Sequence, residues 1–404
     1  MENEKMLVPN LRFAEFEDEW KFTLLGELGE LVSGLTYSPK DIHEGGILVL
    51  RSSNVQNGQL AFEDNVYVNT TEFNEVIEND ILLVVRNGSK RLIGKCTLIP
   101  KEHEGLAFGA FMSIFRSDYN KFLVQWFWSE DFKKEVRKNL GATINSINGS
   151  NLKKFKLSIP TLPEQQKIAN FLTSIDKQIQ TLEKKKSLLE QYKKGVMQKI
   201  FKQELRFKEE DGNDFPKWEY VKLKEVLKRS KLKNTDLKVK YVLTNSATQG
   251  IVSQNDYFDK DIANKNNLQG YYIVEKDDFI YNPRISQFAP VGPLKRNKLA
   301  QGVMSPLYTV LRPKQGNLEF LEFYFETTLW HKYMKAIANY GARHDRMNIT
   351  MTDFENLPIP FPSLEEQIKI ANFLSAIDEN IGLVNTKIEH TKAYKKGLLQ
   401  RMFV

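Results

Sequence analysis

The chain has 404 residues, 41% of them hydrophobic and 27% charged. That is enough for two or more domains with their own cores, and too rich in apolar residues for a disordered chain. No apolar run reaches the ~18 residues of a membrane span, and the opening MENEKMLVPNLRF lacks the basic-then-apolar pattern of a secretory signal, so the expected location is the cytoplasm. The formal net charge of +7 suits an anionic partner without requiring one. Cys96, the single cysteine, excludes an internal disulfide; its apolar flanks in LIGKCTLIP predict a buried strand thiol.

In chain order, β-rich runs with polar turns come first: GILVLRSSNVQNGQLAF from Gly46, DILLVVRNGSKRLIGKCTLI from Asp80 and FMSIFRS from Phe111. A helix is predicted over FLVQWFWSEDFKKEVRKNL from Phe122, its aromatics at helical spacing and assigned to the core. From Leu162 the period changes. Ile168, Ile175, Leu182, Leu189 and Val196 recur every seven residues, interleaved with Leu172, Ile179, Lys186, Lys193 and Ile200, which is a coiled-coil seam with polar gaps. Forty helical residues make a rod of roughly 60 Å. Residues 217–240 hold nine Lys/Arg against three acids, an excess suited to phosphates or simply a solvated face. Strands follow in DDFIYNPRIS and SPLYTVLRP, then a helix in FLEFYFETTLWHKYMKAIA from Phe320. A second seam comes last, formed by Ile370, Ile377, Val384, Thr391 and Leu398 with Leu374, Ile381, Ile388, Lys395 and Met402.

The chain is a duplication. Leu162–Phe201 and Leu364–Phe403 align without a gap at an offset of 202, and EQQKIANFLTSID in the first copy returns as EQIKIANFLSAID. Upstream, Trp20, Leu25, Glu27, Asp80 and Arg86 match Trp218, Leu223, Glu225, Asp278 and Arg284 at 198. The expected fold is α+β: two tandem recognition domains, each followed by a long helix, the helices pairing as an antiparallel coiled coil with pseudo-twofold symmetry. The boundaries are 1–160 and 205–361 for the domains, 161–204 and 362–404 for the helices. Polar gaps leave neither helix content alone. On periodicity alone the helices could be no more than a dimerisation device.

The catalytic inventory is thin. There is no G-x-x-x-x-G-K-[ST] loop, five histidines and one cysteine offer no zinc constellation, and NPRI at 282 has Arg284 where an N-P-P-[YF] tetrad needs proline. The copies share a frame but diverge in their turns, RNGSKR at 86 against RISQFA at 284 and TINS at 143 against RHDR at 343. These are side chains that read base edges. The candidate DNA contacts are Arg86, Asn87, Ser89, Lys90, Arg91, Thr143, Asn145 and Ser146 in the first domain, and Arg284, Ser286, Gln287, Arg343, His344 and Arg346 in the second. Arg86 and Arg284 carry two readings, base contact or a shared structural or phosphate-contacting role.

With its duplicated EQxKIANFL helices, the mixed domain before each and the missing catalytic motifs, the whole chain resembles the specificity (S) subunit of a Type I restriction-modification enzyme. The resemblance implies target recognition domains that each read one half of an asymmetric bipartite site in double-stranded DNA. It implies helices that set the spacer and dock two methyltransferase (M) subunits. S-adenosylmethionine would belong to those subunits, ATP and Mg to two restriction (R) subunits, and no catalysis to this chain. The two alike helix starts then read as equivalent docking surfaces. The rival readings are a stand-alone nucleic-acid-binding protein and a protein-only coiled-coil scaffold.

Overall fold

The structure is a computed structural model that describes residues 7–140, 145–257, 265–339 and 345–404. Two compact units divide the chain: Met1–Lys184 with Asn385–Val404, and Lys185–Val384. Each long helix, Leu162–Phe201 and Leu364–Met402, is therefore shared between the two units, with the larger part of each in the unit where that helix begins.

In the first unit, Glu30–Ser33, Met112–Arg116, Ile81–Val84 and Cys96–Leu98 form an antiparallel sheet in that order. Ile81–Val84 is buried at all four positions, because successive side chains enter different cores on the two faces of the sheet. Ile81 and Leu83 join Phe115, Phe122, Trp126, Phe127 and Phe132, while Leu82 and Val84 join Leu50, Phe108 and Ile114. Cys96 closes on the first of these cores, and burial pushes its thiol up to about 12, so it is an inert packing group. The single helix expected from Phe122 is two, Asn120–Trp128 and Glu130–Asn139. Ser129 breaks it by turning extended and accepting a hydrogen bond from the Phe132 amide. Phe122, Trp126, Phe127 and Phe132 of this stretch are core, as their spacing predicts, and Trp128 is half-buried.

The second unit repeats the frame. Its sheet runs Leu227–Ser230, Thr309–Pro313, Phe279–Tyr281, Leu294–Arg296, and its helices are Leu318–Glu326 and His331–Ile337. A two-stranded ribbon ties each domain to its long helix: Lys21–Leu24 pairs with Lys156–Ile159, and Glu219–Lys222 with Pro358–Phe361. The matched Asp80 and Asp278, each 1% exposed, are structural. Each carboxylate takes a bidentate guanidinium, from Arg116 and Arg312 respectively, and a turn amide. Of the nine basic residues in 217–240, eight are exposed and Arg229 is half-buried; they lie on Glu219–Lys222, the short helix Leu223–Val226, Leu227–Ser230 and the segments on either side. The elaborations differ: the first unit adds Tyr67–Val68, Ile42–Leu50 and Ala107–Phe108, the last two parallel, where the second has two separate ribbons.

The heptad seam is buried towards the ends of the helices as the periodicity predicts, while Leu182, Lys186 and Leu189 in the middle of the first helix are half-buried. In the first unit Ile168, Leu172, Ile175 and Ile179 share a core with Leu398, Leu399, Met402 and Phe403; in the second, Val196, Met197, Ile200 and Phe201 share one with Ile370, Leu374 and Ile377. Asp176 meets Lys395 and Glu183 meets Lys392, so the helix segments of the first unit run antiparallel.

Two of the polar gaps are filled from within. Lys395 Nζ lies 2.6 Å from Asp176 and 3.9 Å from the centre of the Trp128 ring. Burial pushes this lysine below its ordinary range, against the pull of Asp176. Its counterpart Lys193 bridges Asp378 at 2.7 Å and Glu326 at 3.0 Å. Burial pulls it down too, but two carboxylates outweigh that and raise it. The aspartates are those of the repeated SID and AID.

The start of each helix is also inward. Glu164 and Glu366 are fully buried. Arg12 Nε and Nη2 grip Glu164 at 2.8 and 2.7 Å, and Trp20 Nε1 donates to it at 3.3 Å; Arg206 and Trp218 hold Glu366 in the same way, at 3.2, 2.8 and 2.9 Å. Gln165 and Gln367 donate back to Pro160 O and Pro362 O at 2.8 Å. The likeness of the two helix starts, read from sequence as that of docking surfaces, is at Glu164, Gln165 and Asp176 the likeness of two internal clamps. Glutamate is rarely buried unless paired, and its partner lies 152 residues away.

Candidate nucleic-acid interface

In both units the strand that crosses the centre of the sheet runs out into an exposed loop, which a second segment braces. In the first unit, Asn87 N donates to Asn145 O at 3.2 Å, Ile147 N donates to Val85 O at 2.9 Å, and Arg86 and Ser146 form an antiparallel bridge. In the second, Ile285 N donates to Asp345 O at 3.0 Å, Met347 N donates to Pro283 O at 2.8 Å, and Arg284 bridges Arg346. These are the same two bonds and the same bridge at equivalent positions. The two candidate segments of each domain, about sixty residues apart in sequence, are thus one surface.

Side chains on this common frame diverge. In the first unit Arg86, Ser89, Lys90 and Arg91 are exposed, and the Arg86 guanidinium lies 5.6 Å from the ring centre of Phe111, itself 55% exposed. Asn87 spends its side chain on the loop, donating to Ser52 Oγ and accepting from the Ser89 amide at 2.9 Å each, and Asn145 donates to Gly88 O at 2.9 Å. Ser146 is half-buried.

In the second unit Ser286 and Ala289 exchange backbone hydrogen bonds at 3.0 and 3.1 Å, closing a tight turn that presents Gln287 and Phe288 at its tip. Phe288 is 73% exposed. Arg284 and half-buried Arg346 both approach Asp345, at 3.9 and 3.8 Å. Thr143, Arg343 and His344 lie outside the described residues. Sequence reasoning missed Phe111 and Phe288, because an aromatic in a β-rich run ordinarily belongs to the core. Only its exposure marks it.

What the arrangement can do is present arginine, lysine, serine and glutamine donors on braced loops, two different sets on one repeated frame, the residue types that recognise base edges and phosphates. Among the described residues no cluster of side chains could hold a metal ion, and no helix is long and apolar enough to cross a membrane.

Comparison with known proteins points the same way. A family described as the Type I restriction modification DNA specificity domain matches residues 17–191 and again 216–392. The chain is 26% identical over 415 residues to a protein of Methanocaldococcus jannaschii assigned as the type I restriction enzyme MjaX specificity subunit, covering 95% of this chain and 93% of that one. It is 23% identical over 197 residues to the EcoKI specificity subunit of Escherichia coli, covering 44% and 41%. Among solved structures, it shares its fold with the S subunit of a Type I restriction-modification system from M. genitalium (TM-score 0.55, 15% identity, 98% and 99% covered). A second structure, from a study of Type I complex assembly, gives a TM-score of 0.53 at 16% identity and covers 95% and 96%. Two matched domains, the repeated frame and the fold agree: the chain belongs to the family of the Type I restriction modification DNA specificity domain, and carries that domain twice.

Proposed function

We propose that this chain is the DNA-specificity subunit of a Type I restriction-modification complex, each recognition domain reading one half of an asymmetric bipartite site in duplex DNA. The observation that carries the reading is the pair of equivalent braced loops, 86–87 with 145–147 and 284–285 with 345–347, one backbone frame bearing two polar surfaces. The long helices set the spacer between half-sites and dock methyltransferase subunits. Those subunits supply S-adenosylmethionine chemistry and motor-nuclease subunits supply ATP-dependent cleavage; this chain supplies the address and no catalysis.

Methylome sequencing of cells that express the chain with its methyltransferase tests this. The expected result is one bipartite motif, with changes at 86–91 altering one half-site and changes at 284–289 the other. A helical insertion within 177–195 should change the accepted spacer. Methyl transfer to DNA by the purified chain alone, or loops that can be exchanged without changing the motif, would overturn the reading.

A further inference from the structure

An open cavity of about 960 Å³ lies in the first unit, directly beside the recognition loop. Its wall on one side is a hairpin, Val55–Gln56 and Gln59–Leu60, turned through Asn57 and Gly58 at φ 51° and 75°, the two-residue type I′ form that Asn-Gly favours. A Cβ on Gly58 would sit 3.0 Å from the Trp128 ring, a tight contact on a backbone that already favours glycine, so the ring packs closely against the hairpin. Trp128, Phe127 and Leu399 give the cavity an apolar floor.

The rim is basic. Three pairs of cations line it: Lys90 and Arg91 at the end of the recognition loop, Lys133 and Arg137 one helical turn apart, and Lys392 and Lys396 one turn apart on the second long helix. Two carboxylates also line it, Asp176 held by Lys395 and Glu183 by Lys392, and Glu130 beside the rim approaches Lys133 at 2.8 Å and Arg137 at 3.7 Å; the last three contacts are solvent-exposed pairs that phosphate oxygens can displace, and cations stay in excess. A file of cations over an apolar floor matches a polymer of phosphates joined by sugars better than a single small anion.

The second unit lacks the feature at equivalent positions. In place of Lys90, Arg91, Lys133, Arg137, Lys392 and Lys396 stand Phe288, Ala289, His331, Lys335, Glu190 and Lys194, two permanent cations and an acid. The shared fold therefore does not itself require these cations, since the second unit is built on the same frame without most of them.

We propose that this groove holds the sugar-phosphate backbone of duplex DNA running out of the first half-site, so that the first unit carries an excess of the phosphate contacts. The proposal rests on the DNA-specificity reading and adds an asymmetry to it. Backbone contacts fix register and affinity without reading sequence, and each one lost lowers the salt dependence of binding by about 0.9 in the log–log slope.

The test is the salt dependence of duplex binding by the full chain in its methyltransferase complex. Lys133→Gln, Arg137→Gln and Lys396→Gln together should lower the slope by about 2.7 and weaken cognate and non-cognate duplexes alike. Lys133→Arg with Arg137→Lys should keep the wild-type slope. Lys335→Gln with Lys194→Gln, the counterparts in the second unit, should leave it unchanged. An unchanged slope in the triple variant with binding intact overturns the groove but not the DNA reading. So does a triple variant that loses its methyltransferase partner instead, or an equal loss from the second-unit pair. Wild-type complex that shows no salt-dependent duplex binding would sink the DNA reading itself.

Discussion

Replacing Asp176 by alanine should open the first unit far more than the equivalent Asp378→Ala opens the second. In the first unit Lys395, its side chain 11% exposed, has one carboxylate at 2.6 Å and the Trp128 face. Stranding a buried cation costs about 3–5 kcal/mol. The ring holds back ~1–2 kcal/mol of that, which leaves about 2–3 kcal/mol. In the second unit Lys193 keeps Glu326 at 3.0 Å, and Asp378 is 43% exposed, so its removal costs about 0.5–1 kcal/mol. The difference is about 2 kcal/mol, or roughly 30-fold in the opening equilibrium. Native-state hydrogen exchange reads it segment by segment, at 168–182 and 388–402 for the first unit and at 193–201 and 370–384 for the second. Lys395→Met should cost clearly less, because the Asp176 carboxylate it leaves behind is 22% exposed and still accepts from Gln125 Nε2 at 3.3 Å. Equal effects of the two aspartate changes, or a loss in Lys395→Met as large as in Asp176→Ala, would refute the reasoning.

Three further outcomes follow from the geometry. Glu164→Ala strands the Arg12 guanidinium and the Trp20 indole, and should cost the first unit about 3–4 kcal/mol, with Glu164→Gln costing less because an amide oxygen still accepts; limited proteolysis after residue 12 reports it. His331 is half-buried against Trp330, and burial, helped by Lys335, lowers its proton affinity below the ordinary 6.5. Below 6.5 the unfolded chain then binds more protons than the folded one, so stability falls on acidification, and His331→Phe should flatten the acid limb of the second unit's urea midpoint; an identical limb refutes it. Gln287→Ala should relax one half-site by about 1–3 kcal/mol and leave the other half-site untouched in a binding-selection assay.

Much of this molecule is written locally. Helix period, aromatic spacing and the duplication are short-range or self-referential patterns, and they placed the long helices, the core of each domain and the buried Cys96. Less legible was anything that depends on a distant partner. Lys193 and Lys395 look like defects in a seam until Asp378 and Asp176 arrive from the other copy, and Glu164 looks like a surface residue until Arg12, far upstream in its own copy, reaches it. Candidate residues of one loop, Asn87 and Asn145, turn their amides inward as braces, since a polar residue in a turn serves its own backbone as readily as a ligand.

The division of each long helix between two units also sets an order of assembly. The second unit is one unbroken stretch, Lys185–Val384, and every residue it needs has been made before Asn385 leaves the ribosome. The first unit begins earlier yet finishes later, for Ile168, Leu172 and Ile175 must wait for Leu398, Met402 and Phe403 to complete their core. During synthesis the half of the chain made first is therefore the half that stays open longest. Its unfinished apolar seam is where premature termination or slow translation would be felt as aggregation.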